Sequence, residues 1–276
     1  MFERINIGIK TILRDAKLFR AIDGIRRNLP GAQMIIADDG EHTEEKDGLY
    51  AELIREGHKV IILPFDSGFG KKSNAIVDTL DREFLLVGCD DFDFGSPEVA
   101  VGIQKMQTVL DREPRLSVAS GRVNNRPYEK LLYDFEDGSV KEIEFDPGDS
   151  AGFEYHDVDL TVNYSLIRRS VFYRSHWETD ESGPGYIESR TNLGWDDEVK
   201  IGGGEHAAWF FDVMKAQLRV AYVPGVNINT QLGDDSFQYN TFRRRACRPE
   251  RECFKKRGIK KYVMANGQID YEEKTQ

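Results

Sequence analysis

The chain has 276 residues, 39% hydrophobic and 31% charged, with a formal net charge of −10. This composition excludes a disordered or fibrous chain and suits one large α/β domain with an appendage better than two independent domains. No apolar run approaches the roughly 18 residues that span a bilayer, and the N-terminus MFERINIGIK has no apolar signal core, so a cytoplasmic protein is expected. Three cysteines, Cys89, Cys247 and Cys253, lack the paired spacing of a zinc site or a disulfide framework and agree with a reducing compartment.

Residues 5 to 11 (INIGIKT) read as a strand, and Leu18, Ile22 and Ile25 at helical spacing predict a helix over 15 to 28 that Pro30 and Gly31 stop. MIIADDG reads as a buried strand, a helix is expected around Tyr50 to Glu56, and KVIILPF reads as a third strand. The order β-α-β-α-β is that of a parallel sheet covered by helices. SGFGKKSNAIVDTL then leads through glycines into a helix, and EFLLVGCDDFDF is an apolar strand ending in acid. A helix near 97 to 111 and a strand near 116 to 122 close this half. Residues 124 to 157 read as hairpin or loop, and regular structure resumes from Val158.

Ligands bind beyond the carboxyl ends of strands in open parallel sheets, and Asp38, Asp39, Asp90 and Asp91 all fall there. The run Cys89-Asp90-Asp91-Phe92-Asp93 clusters carboxylates that repel one another unless a cation sits between them. A divalent ion bridging a diphosphate answers that need, although an acidic turn or helix cap reads the same way. Asp38-Asp39-Gly40 suits a base or ribose contact and equally an Asx turn. In the stretch from Asp66 to Asn74, backbone N–H groups at a helix start would cradle phosphate, with Lys71 or Lys72 supplying charge; the spacing of a P-loop is absent. Further on, Gly202-Gly203-Gly204-Glu205-His206 places a carboxylate before the apolar helix AAWFFDVM, as a general base or as a helix cap.

These motifs in this order resemble those of GT-A glycosyltransferases, above all the β-1,4-N-acetylgalactosaminyltransferases of the ganglioside-synthase type, with the broader family 2 enzymes behind. The similarity spans about residues 5 to 245 and rests on IKTILR, IIADDG, LPFDSGFGKKSNAI, LLVGCDDFDF, VDLTVNYSLIRR and GGGEH followed by FFDVMKAQLRVAYVP. It implies an α/β, GT-A (Rossmann-like) fold with a mainly parallel sheet, helices on both faces and a basic C-terminal extension. It also implies Thr11, Asp38 and Asp39 at the nucleoside, Asn74 near the diphosphate or sugar, Asp90 in the metal-binding acid motif and Glu205 as the base of an inverting transfer. Uridine diphosphate is the carrier it implies, and Mn²⁺ or Mg²⁺ the metal. Two departures stand out: Cys89 occupies the place of the motif's first aspartate, which leaves Asp91 as the better metal-ligand candidate with Asp93 or Asp90 as the second, and Asn227-Ile228-Asn229-Thr230-Gln231 lacks the family's late histidine, for which Asn229 or water would stand in.

The domain organisation expected is a catalytic unit over 1–241, with a nucleotide-sugar half (1–122) and an acceptor half (123–241), then a basic extension over 242–276. Trp195 and Trp209 flank the site; Trp195 and His206 are placed at the acceptor, with His206 as an alternative base and core packing the expected role of Trp209. The donor is a nucleotide sugar and the acceptor a glycan hydroxyl. Residues 243 to 261 hold ten Lys/Arg against two Glu, however, and Arg243, Arg244, Arg245, Lys255 and Lys256 would equally contact DNA, as in a transferase acting on hydroxymethylated pyrimidines. A protein that binds a nucleotide sugar without transferring it is the third reading.

Overall fold

The computed structural model describes residues 1–125, 128–134, 136–145, 154–161, 164–180, 183–200, 204–233, 237–245 and 252–273, without the side chains of 128–130, 145, 177–180, 183–186 and 243–245. The first part alternates β1 (Ile5–Thr11), α1 (Asp15–Asn28), β2 (Gln33–Asp38), α2 (Glu44–Arg55), β3 (Lys59–Ile62), α3 (Phe69–Asp78), β4 (Phe84–Cys89), α4 (Pro97–Arg112) and β5 (Leu116–Val123). There follow β6 (Tyr128–Asp134), β7 (Ser139–Phe145), β8 (His156–Val158), β9 (Ser165–Arg168), β10 (Tyr173–Asp180), β11 (Gly183–Arg190), α5 (Glu205–Lys215), β12 (Arg219–Ile228), α6 (Phe237–Arg245), α7 (Glu252–Lys255), β13 (Lys261–Val263) and β14 (Ile269–Glu272). Helix α2 starts six residues before the expected Tyr50, because Thr43 caps it by accepting the Lys46 N–H and Glu44, Glu45 and Asp47 favour its first turn.

The main sheet has eight strands in the order β3-β2-β1-β4-β9-β5-β12-β8. Strands β1 to β5 and β12 point one way, while β9 and β8 oppose them. Because β9 lies between β4 and β5, the two expected halves share one sheet and one core. On one face, Leu18, Ile22 and Ile25 of α1, Leu53 of α2 and Ile103 and Met106 of α4 pack onto Ile7, Ile9, Ile36 and Leu86. On the other, Ile76 and Val77 of α3 and Trp209 and Phe211 of α5 pack onto Ile35, Leu85 and Val118. Helices therefore cover both faces, as the alternation predicts.

The stretch 124 to 157 contributes the β6–β7 hairpin, which continues into a four-stranded sheet in the order β14-β13-β7-β6. The C-terminal segment thus folds back: β13 pairs in parallel with β7, and Phe254 stacks on Tyr262 at 4.5 Å inside the core beneath α5. Among the described residues no helix is long and apolar enough to cross a membrane.

Candidate active site

Strand β4 is apolar and buried, and it delivers Asp90 and Asp91 to the carboxyl edge of the sheet, where β1 ends in Thr11 and β2 in Asp38. Asp90 is completely buried. It accepts from Thr11 Oγ1 at 2.8 Å and from Arg14 Nε at 3.2 Å, and pairs with Arg14 Nη2; Arg14 Nη1 donates to Asp91 Oδ2 at 2.8 Å. The guanidinium, seated 4.5 Å from the centre of the Tyr239 ring, is the cation that the acid cluster demands. Burial still pushes the Asp90 carboxyl up to about 6 against the pull of Arg14. Burial also pushes the Cys89 thiol up to about 12, so it is no nucleophile at neutral pH. Arg14 was not singled out from sequence, because its partners lie 76 and 77 residues away.

Asp38 and Asp39 are both buried and both engaged within the protein. Asp38 accepts from Tyr50 Oη at 2.7 Å, Lys46 Nζ at 3.0 Å and the Gly40 N–H at 2.8 Å, the last being the Asx turn. Asp39 accepts from Lys72 Nζ at 2.6 Å and the Gly68 N–H at 2.9 Å. Of the two lysines, Lys72 reaches inward, donating also to the Thr11 carbonyl at 3.2 Å, and Lys71 is exposed.

The phosphate cradle expected at the start of α3 does not form. The N–H of Phe69 donates to the Lys200 carbonyl at 2.9 Å and that of Gly70 to Val199 at 3.1 Å. The loop 194–200 runs so close that a Cβ on Gly70 would sit 1.8 Å from the Asp196 carbonyl oxygen, which is why glycine stands there. Asn74, expected at the diphosphate or sugar, pins the same loop: its amide donates to the Trp195 carbonyl and Asp197 Oδ1, each at 2.7 Å, and accepts the Trp195 N–H at 3.0 Å. Trp195 is 6% exposed and stacks on Trp209 at 5.0 Å with an interplanar angle of 7°. Both indoles are core, so Trp195 has no open ring face for an acceptor.

Glu205 opens α5 behind Gly204, which adopts φ 83°. Its carboxylate lies 3.7 Å from His206 Nε2, and the His206 ring meets Phe69 edge-on at 5.1 Å. Burial lowers the His206 pKa, which favours the neutral imidazole. On β1, Lys10 reaches 4.7 Å from the centre of the same Phe69 ring. Burial lowers its pKa too; Lys72 acts in the same direction, and Glu205 and Asp90 act against it. The preceding triple-glycine residues Gly202 and Gly203 lie outside the described residues.

Where β12 ends, Gln231 clasps the acid turn. Its amide donates to the carbonyls of Lys17, Asp90 and Phe92, and its backbone N–H donates to the Asp91 carbonyl at 2.6 Å. Asp93 and Asn229 line a neighbouring cleft of about 620 Å³ with Arg20, Asn124 and Thr230.

Among the described residues no three His, Cys, Asp or Glu side chains converge as a metal site. Among the described residues, Asp91 Oδ2 accepts from Arg14 and Asp93 Oδ1 from the Gly95 N–H, and no partner is seen for the other oxygen of either carboxylate. This donor set fits a divalent ion that arrives on a diphosphate and takes most of its oxygens from it, not a resident ion.

Of the basic residues, Lys256 Nζ pairs with Asp196 at 3.2 Å and Glu198 at 2.7 Å, Arg257 with Asp212 at 2.6 Å and Lys261 with Glu272 at 3.1 Å. Lys255 remains at the surface, 4.0 Å from Glu252. Arg243, Arg244 and Arg245 end α6, and their side chains are outside the described set.

No protein-family model matches the chain. Human beta-1,4 N-acetylgalactosaminyltransferase 1 is 30% identical over 119 residues, 43% of this chain and 20% of that protein. Mouse beta-1,4 N-acetylgalactosaminyltransferase 2 is 28% identical over 131 residues, 47% of this chain and 24% of that protein. The chain thus matches a fifth to a quarter of the length of these relatives. Among solved structures, GalNAc-T7 with UDP, GalNAc and Mn²⁺ superposes with a TM-score of 0.60 at 13% identity, covering 83% of this chain and 44% of its own. TarS 1-349 of S. aureus in complex with UDP gives 0.52 at 13% identity, covering 83% and 61%. The chain has the fold of GT-A glycosyltransferases and is similar in sequence to the β-1,4-N-acetylgalactosaminyltransferases among them.

Proposed function

We propose that the chain transfers a sugar from a nucleotide-sugar donor, UDP being the carrier to test first, to a hydroxyl of a glycan acceptor with inversion at the anomeric carbon. The observation that supports this most is the run of contacts between the acid turn and the base candidate: Lys10, in register with Cys89, lies 4.7 Å from the centre of the Phe69 ring, that ring meets His206 at 5.1 Å, and His206 Nε2 lies 3.7 Å from the Glu205 carboxylate. Glu205 takes the proton of the acceptor hydroxyl as that oxygen bonds to the anomeric carbon. The bond from that carbon to the diphosphate breaks, and the diphosphate leaves with the electron pair. Arg14 and Gln231 hold the acid turn rigid while this happens. Mn²⁺ or Mg²⁺ carried in on the diphosphate and held by Asp91 and Asp93 would neutralise charge on the leaving group.

N-acetylhexosamine is the sugar to try first, following the printed names of the curated relatives, and a hexose second. A glycan acceptor is kept ahead of hydroxymethylated DNA because Lys256, one of the residues read as a DNA contact, is engaged with Asp196 and Glu198 within the protein. The test is nucleoside diphosphate release from UDP-N-acetylhexosamines and UDP-hexoses with Mn²⁺, with and without hydroxymethylated DNA, against Glu205→Gln. Release abolished by that substitution supports the reading. Stimulation by the DNA would move the acceptor to nucleic acid, and no release from any donor would leave a nucleotide-sugar binding protein.

A further inference from the structure

Lys10 is 7% exposed, yet among the described residues its ammonium has no hydrogen-bond acceptor and no ion-pair partner, only the face of Phe69 at 4.7 Å. An ammonium so largely withdrawn from water is poorly compensated, and an anionic ligand reaching it would supply the missing acceptor. Three other buried cations near the site are paired: Lys46 with Asp15 and Asp38, Lys72 with Asp39, Arg14 with Asp90 and Asp91.

The place of Lys10 says which group would complete it. In the sheet it stands in register with Cys89, one residue short of the acid turn, and its stem points to the face on which Phe69 opens α3 and Glu205 opens α5. Glu205 and Asp90 both act on it electrostatically without being close enough to pair. A donor whose diphosphate lies at the acid turn and whose anomeric carbon faces Glu205 must place between them the phosphate bonded to that carbon.

We propose that Lys10 is the donor contact for that terminal phosphate, its ammonium donating to the phosphate oxygens in the ground state and stabilising their charge as the sugar departs. This deepens the transferase reading and rests on it.

The test is calorimetric titration of the native chain, Lys10→Met and Lys10→Arg with the monophosphates and diphosphates of uridine, guanosine, cytidine and adenosine, all in Mn²⁺. Native protein should bind one diphosphate better than its monophosphate. Lys10→Met should weaken that diphosphate by about tenfold to a hundredfold, the weight of a hydrogen bond to a charged group, and leave the monophosphate unchanged. Lys10→Arg should retain part of the preference. The melting temperature of unliganded Lys10→Met should hold or rise, since an uncompensated buried charge is gone.

Equal diphosphate affinity in Lys10→Met overturns the proposal while leaving the transferase reading intact. A fall in melting temperature with parallel loss of both ligands overturns it in favour of a structural lysine. Native protein that binds none of the diphosphates takes down the transferase reading and this proposal together.

Discussion

Arg14 donates to Asp91 at 2.8 Å, and the same guanidinium carries the completely buried carboxylate of Asp90. A cation supplied by the chain therefore sits where the sequence leads one to look only for a metal. Removing it strands a buried charge: Arg14→Met should lower the unfolding free energy by about 3–5 kcal/mol, and adding Asp90→Asn to that variant should restore much of the loss. Urea unfolding of the two variants measures both, and additive losses would show that the pair is not coupled.

In the proposed reading the divalent ion arrives with the ligand, which separates stability from activity. Excess EDTA should leave the melting temperature of the free protein unchanged while suppressing nucleoside diphosphate release, and added Mn²⁺ should restore it. Asp91→Asn should raise the Mn²⁺ concentration needed for half-maximal release. A melting temperature that falls with EDTA would mean a resident ion instead.

Glu205 carries the chemistry in this reading without touching the nucleotide. Glu205→Gln should bind the nucleoside diphosphate as the native chain does, by calorimetry, and slow sugar transfer by roughly a hundredfold or more in single turnover. Unchanged turnover would return Glu205 to the role of a helix cap.

Gly70 is set by contact, not by flexibility. Gly70→Ala brings a methyl to 1.8 Å from the Asp196 carbonyl oxygen and should cost about 2 kcal/mol or more, while opening the loop 194–200 to protease. Thermal unfolding and limited proteolysis give the two readings, and native-like behaviour in both would show that the loop is not seated on α3.

His58 is half-buried, with Nδ1 accepting the Met34 N–H at 3.2 Å, and burial holds its pKa below the usual histidine value. Because the folded value lies under the unfolded one, near 6.5, its contribution is full above that pH and is lost as the pH falls through the folded value. The His58 share of stability should therefore fall between about pH 7.5 and 5.5, with His206 acting in the same direction and Asp90, whose raised carboxyl takes up a proton on folding, in the opposite one, so the melting temperature of His58→Asn relative to the native chain should rise as the pH falls through that window. An identical slope in the variant would remove His58 from the account.

Much of this molecule is local in the sequence. Apolar runs such as IIAD and FLLVG, the 3.6-residue spacing of Leu18, Ile22 and Ile25, and the strand-end acids determine an alternating α/β chain and its ligand-binding edge, because periodicity and burial act over a few residues. Motif order likewise carried the resemblance to GT-A glycosyltransferases. What tertiary structure alone decided is which charges meet. Arg14 finds Asp90, Lys72 finds Asp39, Asn74 finds the loop at Trp195, and Gln231 finds the acid turn, across separations from 33 to 141 residues. Nothing in the spacing announces such pairs, and ion pairing within the fold likewise decided that Lys256 and Arg257, which read as a nucleic-acid surface, are tied to Asp196 and Asp212. Lys10 is the counterpart: an ordinary strand lysine in sequence, it becomes a largely buried cation, without an ion-pair partner among the described residues, only once the starts of α3 and α5 close around it.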